Sequence, residues 1–191
     1  MKPYLVLLRG INVGGRNKIP MTELRARLAN LGFGGVSTYI ASGNVVLRSV
    51  EPAERVRERI EAALLDGFTL DDELIKALVL DREQLRVVID DRPEGFGARP
   101  DKYHSDAIFL LDISVEDAMT AFSPREGVDE IWPGPGVIYS QRLSAERTKS
   151  RLSKITSSPL YKSMTIRSWA TTLKLWDMIR EPDEEEHAEA R

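Results

Sequence analysis

At 191 residues the chain is long enough for one large domain or for two small ones sharing an interface. Apolar residues make up 42% and charged residues 30%, a balance that allows a buried core under a solvated surface. Cysteine is absent, which excludes disulfides, thiolate zinc sites and a cysteine nucleophile, and two histidines are too few for a histidine-rich metal site. The lack of cysteine fits a reducing cytoplasm, the location expected here. The opening apolar run, Tyr4 to Leu8, stops at Arg9, too soon for a signal-peptide core or a membrane span. No membrane partner is therefore expected.

The net charge of −3 conceals segregation. Residues 1–50 carry seven Lys/Arg against one acid, net +6. Residues 51–94 and 95–141 are acidic, net −6 and −5, and residues 142–174 carry eight basic groups against one acid, net +7. The tail 181–191 holds six acids and one Arg without apolar anchors, so it is expected to be disordered. Two basic blocks thus bracket two acidic ones. Meeting in space, they would make a local positive field; otherwise they pair with the acidic blocks across solvated faces.

In chain order, the continuous apolar run Tyr4 to Arg9 predicts a central strand, followed by a loop, Gly10 to Lys18. Pro20 suits a helix's first turn, and Met21, Leu24, Leu28 and Leu31 recur at helical spacing until Gly32 stops them. Val36 to Ala41 and Val45 to Arg48 predict strands joined by the tight turn Ser42-Gly43-Asn44. Pro52 opens a second helix with Val56, Ile60, Ala63 and Leu64 inward. Lys76 to Leu80 reads as a strand, and Asp81 with Gln84 as a capping pair for a short helix carrying Leu85, Val88 and Ile89.

Pro93, Gly95, Gly97 and Pro100 mark a linker, after which the order repeats. Ala107 to Leu111 is a strand, and Ser114 with Asp117 caps a short helix. Val128 to Trp132 and Val137 to Gln141 flank the turn Pro133 to Gly136. Ser144 to Ile155 reads as a basic helix and Met164 to Arg167 as a short strand. Ser168 caps a last helix with Trp169, Leu173, Trp176 and Ile179 on one side. The expected fold class is α+β: two ferredoxin-like (split βαβ) halves with antiparallel sheets, packed together. The expected divisions are an N-terminal half over 1–92, a linker over 93–104, a C-terminal α+β half over 105–180, and the tail.

That topology gathers chemistry at one edge. In a 4-1-3-2 sheet the loop after the first strand and the hairpin turn lie side by side, which brings Arg9, Asn12, Gly14, Gly15, Arg16, Asn17 and Lys18 next to Ser42, Gly43 and Asn44. The polar loop 67–75 is expected at the same edge. Gly14-Gly15 can take positive φ and expose successive amides toward a phosphate or carboxylate, or it can simply turn the chain. The loop matches neither the P-loop, which ends Gly-Lys-Ser/Thr, nor the dinucleotide fingerprint, whose final glycine is missing. Ser42-Gly43-Asn44 are also ordinary hairpin-turn residues. The second basic block, with Arg151, Lys154, Thr165 and Arg167 among its charges and hydroxyls, could contact phosphates or form a solvated helix face. The three tryptophans, Trp132, Trp169 and Trp176, suit core packing.

These residues carry a resemblance. Leu8 to Gly15, then Asn17-Lys18, Ile19-Pro20-Met21 and Leu24, resembles the opening signature of the family called domain of unknown function 1697. Tyr39 with Ser42 to Val45 is similar to its hairpin. Ser150-Arg151-Leu152 with Lys154, and Thr165-Ile166-Arg167 with Trp169, Thr171 and Lys174, resemble its C-terminal signature. One departure is visible: the usual Asn-Trp-Asn-Thr reads Ser168-Trp169-Ala170-Thr171. The resemblance implies a bacterial α+β protein with ferredoxin-like parts and implies no activity or cofactor.

The function expected from these residues is binding of a small anionic ligand, phosphate-bearing or nucleotide-like, at the basic edge. A nucleic-acid module is the alternative, but the strand Val45 to Arg48 lacks aromatics for stacking and the acidic blocks disfavour a polyanion. A protein-interaction scaffold is another. For an enzyme, Ser42, Asp71, Asp72 and Glu73 could meet at the upper edge, but no spacing sets a base against a nucleophile, and His104 falls in the linker.

Overall fold

A computed structural model describes residues 1–70 and 75–180. Asp71, Asp72 and Glu73 and the acidic tail 181–191 lie outside the described residues. The chain divides into two compact units, Met1–Leu85 with the segment from Lys174, and Arg86–Leu173. Among the described residues no helix is long and apolar enough to cross a membrane.

The first unit runs β1 (Lys2–Arg9), α1 (Met21–Asn30), β2 (Gly34–Tyr39), β3 (Asn44–Ser49), α2 (Ala53–Gly67) and β4 (Lys76–Asp81). Its sheet has the order β2-β3-β1-β4 with antiparallel neighbours, the ferredoxin-like arrangement. Alternation along β1 sets its two faces. Tyr4, Val6 and Leu8 join Val45, Leu47, Ala77 and Val79 in a core capped by Leu24 and Leu28 of α1 and by Val56, Ile60 and Leu64 of α2. The other face, with Leu5, Leu7 and Val46, is buried as well. This explains why β1 reads as an unbroken apolar run rather than an alternating one. At the strand's end Arg9 pairs in register with Lys76 of β4.

Helix α3 (Arg82–Asp90) begins in the first unit and ends in the second. Its start is the reciprocal cap read from the sequence: the Gln84 amide donates to Asp81 Oδ1 at 2.8 Å, and the Asp81 amide to Gln84 Oε1 at 3.0 Å.

The second unit holds β5 (Tyr103–Leu110), α4 (Val115–Met119), β6 (Asp129–Gly134), β7 (Val137–Leu143) and β8 (Met164–Ser168), in the order β6-β7-β5-β8, again antiparallel. Both sheets thus share one topology. The basic helix expected over Ser144 to Ile155 is absent. Three 3-10 turns, Ser144–Lys149, Leu152–Ser157 and Pro159–Ser163, take its place. The physical reason is local: serine and threonine side chains bond the backbone and compete with the α-helical ladder. Ser150 Oγ accepts from the Leu152 amide and Ser158 Oγ from the Leu160 amide, and Pro159 opens the third turn.

One face of this sheet, through Ile108, Leu110 and Ile138, packs with Ala118 and Ile155. On the opposite face Phe96 is buried edge-on against Trp132, Tyr139 and Trp169, with centroids 5.1 to 6.0 Å apart. The Gly/Pro-rich stretch therefore delivers a core aromatic. Helix α5 (Trp169–Arg180) starts at Ser168, whose Oγ accepts from the Thr171 amide. Its buried positions are Trp169, Thr172, Leu175 and Ile179, whereas Leu173, read as inward, is exposed.

Candidate functional site

The loop between β1 and α1 is built by its own side chains. Asn12 sits at φ 53°, a left-handed position that asparagine tolerates. Its Nδ2 donates to the carbonyls of Ile19 at 3.0 Å and Ala41 at 2.8 Å, and its Oδ1 accepts from the Ile19 amide at 2.8 Å. Asn17, also left-handed, is buried, and its Nδ2 donates to the Gly10 carbonyl at 2.8 Å. The loop is thus closed at its base and tied to the β2–β3 turn, while Ile11 and Ile19 anchor it in the core.

At the tip, the Arg16 amide donates to the Val13 carbonyl at 3.0 Å, closing a tight turn. Gly14 and Gly15 are its central residues, at φ 58° and 79°, as a type I′ turn requires. A Cβ on either would meet no atom within 4 Å, so conformation alone demands glycine there and the turn stands in open space. The amides of Gly14, Gly15 and Lys18 donate to no group among the described residues. Arg16 and Lys18 are exposed, and among the described residues neither pairs with a carboxylate.

The neighbouring turn packs against this loop as the topology predicts. The Leu8 amide donates to the Gly43 carbonyl at 2.8 Å. Gly43 is at φ 76°, and a Cβ there would lie 2.8 Å from Leu8 Cβ and 2.9 Å from Ile11 Cδ1. Asn44 is fully buried; its Nδ2 donates to the Tyr39 carbonyl and to Ser42 Oγ. The strand read as reaching Ala41 ends at Tyr39, and Ile40 turns left-handed at φ 48°. Beside the loop lies a shallow depression of about 420 Å³, lined by Asn12, Gly15, Lys18, Ile19, Pro20, Met21 and Ala41. The loop 67–75 starts against α1, where Arg27 lies over the Phe68 ring, and ends at β4, where Lys76 faces Arg9.

The remaining candidates belong to the second unit, and its sheet separates them. Arg151 and Lys154 are exposed on the 3-10 segment covering the Ile108 face. Thr165 and Arg167 pair with Phe109 and Ala107, whose side chains alternate to the other face. Both are buried: Arg167 Nη1 donates to Thr165 Oγ1 at 2.9 Å and to the Ile166 carbonyl at 2.8 Å. Burial brings the guanidinium pKa down to about 10.

Asp129, which the sequence reading passed over, positions the Arg151 stretch. Its Oδ2 accepts from the amides of Arg151 at 2.8 Å and Arg125 at 3.0 Å, and its buried Oδ1 has no partner among the described residues. Burial opposes its charge. The Arg151 amide, the Ser150 hydroxyl, the Arg125 amide and the Arg142 guanidinium outweigh that and hold its carboxyl below the usual range. Asp106 behaves oppositely. Burial raises its carboxyl above the usual range even though His104 Nε2 lies 3.1 Å away and Arg142 Nη1 3.4 Å away. Among the described residues no group of three or more His, Asp or Glu could hold a metal ion.

Comparison with known proteins gives a consistent picture. No curated protein matches the chain. A solved structure, that of the conserved bacterial protein SP0830 from Streptococcus pneumoniae, is similar with a TM-score of 0.77 and 26% identity, covering 94% of this chain and 99% of that one. The family model described as protein of unknown function (DUF1697) matches residues 1–139, which takes in Met1–Leu85 of the first unit with the Gly14-Gly15 loop and strands β5 and β6 of the second sheet, and the chain belongs to that family.

Proposed function

We propose that the chain binds a small anionic ligand, phosphate-bearing or nucleotide-like, at the basic edge of the first unit. The observation that carries this reading is the Val13–Lys18 turn: Arg16 and Lys18 stand exposed without a carboxylate partner among the described residues, on a loop whose base is held by Asn12 and Asn17. Because the backbone is already ordered, a ligand does not bear the full cost of fixing it. The amides of Gly14 and Gly15 add donors that no group among the described residues engages.

The roles of the other candidates differ. Gly43 and Asn44 support the site through packing and turn geometry. Arg151 and Lys154 offer a basic, hydroxyl-rich surface on the second unit, suited to a phosphate. The mutual hydrogen bond and burial of Thr165 and Arg167 favour a structural role for that pair. A cytoplasmic setting accords with the absence of cysteine, and a bacterial one with the similarity to a conserved bacterial protein.

Nucleic acid has less support. Ferredoxin-like RNA-binding domains stack bases on aromatics of the exposed sheet face. Here the corresponding positions of β1 and β3 carry Leu5, Leu7 and Val46, all buried.

Thermal-shift measurements with phosphate, pyrophosphate and nucleotides test the proposal. A ligand at a hundred times its Kd stabilises by about 2.7 kcal/mol, and the shift should vanish in the Arg16→Gln/Lys18→Gln double variant. No shift with any of these anions contradicts the proposal; a shift that survives in the double variant moves the site away from this loop.

A further inference from the structure

We infer that the ligand of this edge carries an apolar body beside its anionic group, as an alkyl or aryl phosphate or carboxylate does. The inference rests on the anion reading of the loop and narrows the class of molecule it takes.

The depression beside Lys18 is the starting point. Its volume of about 420 Å³ suits a small molecule. Ile19, Pro20, Met21 and Ala41 give it an apolar lining, to which Lys18 adds a charge and Gly15 an amide. Asn12, its one amide side chain, is spent on the carbonyls of Ile19 and Ala41 and on the Ile19 amide. A bare phosphate would engage the Lys18 charge and the Gly15 and Lys18 amides and leave the apolar lining uncovered. An anion with a hydrocarbon portion would satisfy both.

Two exposed apolar side chains stand next in sequence to residues that line the depression. Val13 neighbours Asn12 and is 66% exposed; Ile40 neighbours Ala41 and is 53% exposed. Ile40 carries two independent costs. It is a β-branched residue at φ 48°, where such residues are outliers, and its side chain faces water. Glycine or asparagine would relieve the backbone. The turn holds it there through Asn44, which donates to the Tyr39 carbonyl, and Asn12, which donates to the Ala41 carbonyl. A strained, solvent-facing isoleucine next in sequence to Ala41, which lines the hollow, is accounted for when its side chain meets the ligand.

The test is calorimetric titration of the full chain with inorganic phosphate, the n-alkyl phosphates from methyl to hexyl, and the matching alcohols. Affinity should rise about fourfold for each methylene that enters the depression and then level off, while the alcohols give no binding. Ile40→Asn, which suits the left-handed backbone, should raise the Tm and flatten the chain-length dependence. Phosphate binding with no gain along the series overturns the apolar body and leaves the anion site standing. Binding of neither phosphate nor any alkyl phosphate overturns the anion site itself. Alcohols that bind as tightly as the alkyl phosphates overturn the anion site and leave an apolar depression without it. An unchanged gain per methylene in Ile40→Asn overturns the contact assigned to Ile40.

Discussion

Asn12 and Ala41 are joined by a 2.8 Å hydrogen bond across 29 residues of sequence, and this bond holds the β1–α1 loop against the β2–β3 turn. With the two bonds to Ile19 it makes Asn12 a three-point clamp. Asn12→Ala removes all three and places alanine at φ 53°. At about 1 kcal/mol per bond, less what water returns, it should cost roughly 2–3 kcal/mol in urea denaturation. A cost below about 0.5 kcal/mol would mean that the loop does not depend on the clamp.

The glycines of this edge separate by what surrounds them. Gly43→Ala meets Leu8 and Ile11 inside 3 Å and keeps a left-handed backbone, so strain and overpacking should add to about 2–4 kcal/mol. Gly15→Ala meets no atom and should cost only the conformational part, about 1 kcal/mol. Denaturation midpoints of the two variants check the ordering; equal losses would contradict the packing at Gly43.

Asp129 and Asp106 should give opposite pH dependences. Asp129 has a lowered carboxyl, so it stabilises the fold above the unfolded carboxylate value, and that stability is lost as pH falls through its folded value. Asp129→Asn should therefore be destabilised at neutral pH and converge with the parent in acid. Asp106 has a raised carboxyl, so the native state holds its proton more tightly than the unfolded chain. Its contribution falls as pH rises from the ordinary carboxylate value through the folded one, and Asp106→Asn should remove that decline. Stability measured from pH 3 to 7 on the three proteins decides the signs.

Phe96 should be a core residue in energetic terms. Phe96→Ala removes a ring that meets Trp132, Tyr139 and Trp169 and should cost about 3–5 kcal/mol, with loss of near-ultraviolet tryptophan dichroism. A surface-like effect would contradict its placement.

The strands and their order were legible because their signal is local and redundant. Tyr4 to Arg9 and Ala107 to Leu111 are apolar runs too short for helices, and one topology closes each pattern of elements. The meeting of Gly10–Lys18 with Ser42–Asn44 followed from strand order alone. What escaped depends on partners distant in sequence. Asp129 is one acid in an acidic block, and its role appears only when the Arg151 amide, 22 residues on, reaches it. Phe96 sits among glycines and prolines, where turn chemistry masks a buried ring. The 144–155 stretch offered charges and only Leu152 and Ile155 as buried positions, too few to enforce an α-helix against its serines and threonines. For Asn12 the location was legible and the use was not: its amide is consumed by the backbone.

The central claim is that the Val13–Lys18 turn receives an anion. A titration of the isotope-labelled protein with inorganic phosphate, followed by amide resonances, tests it most directly. The account predicts saturable shifts centred on Gly14, Gly15, Arg16 and Lys18, weakened by added salt and abolished in Arg16→Gln/Lys18→Gln. Shifts that never saturate, or that centre on other residues while these four stay still, would contradict it.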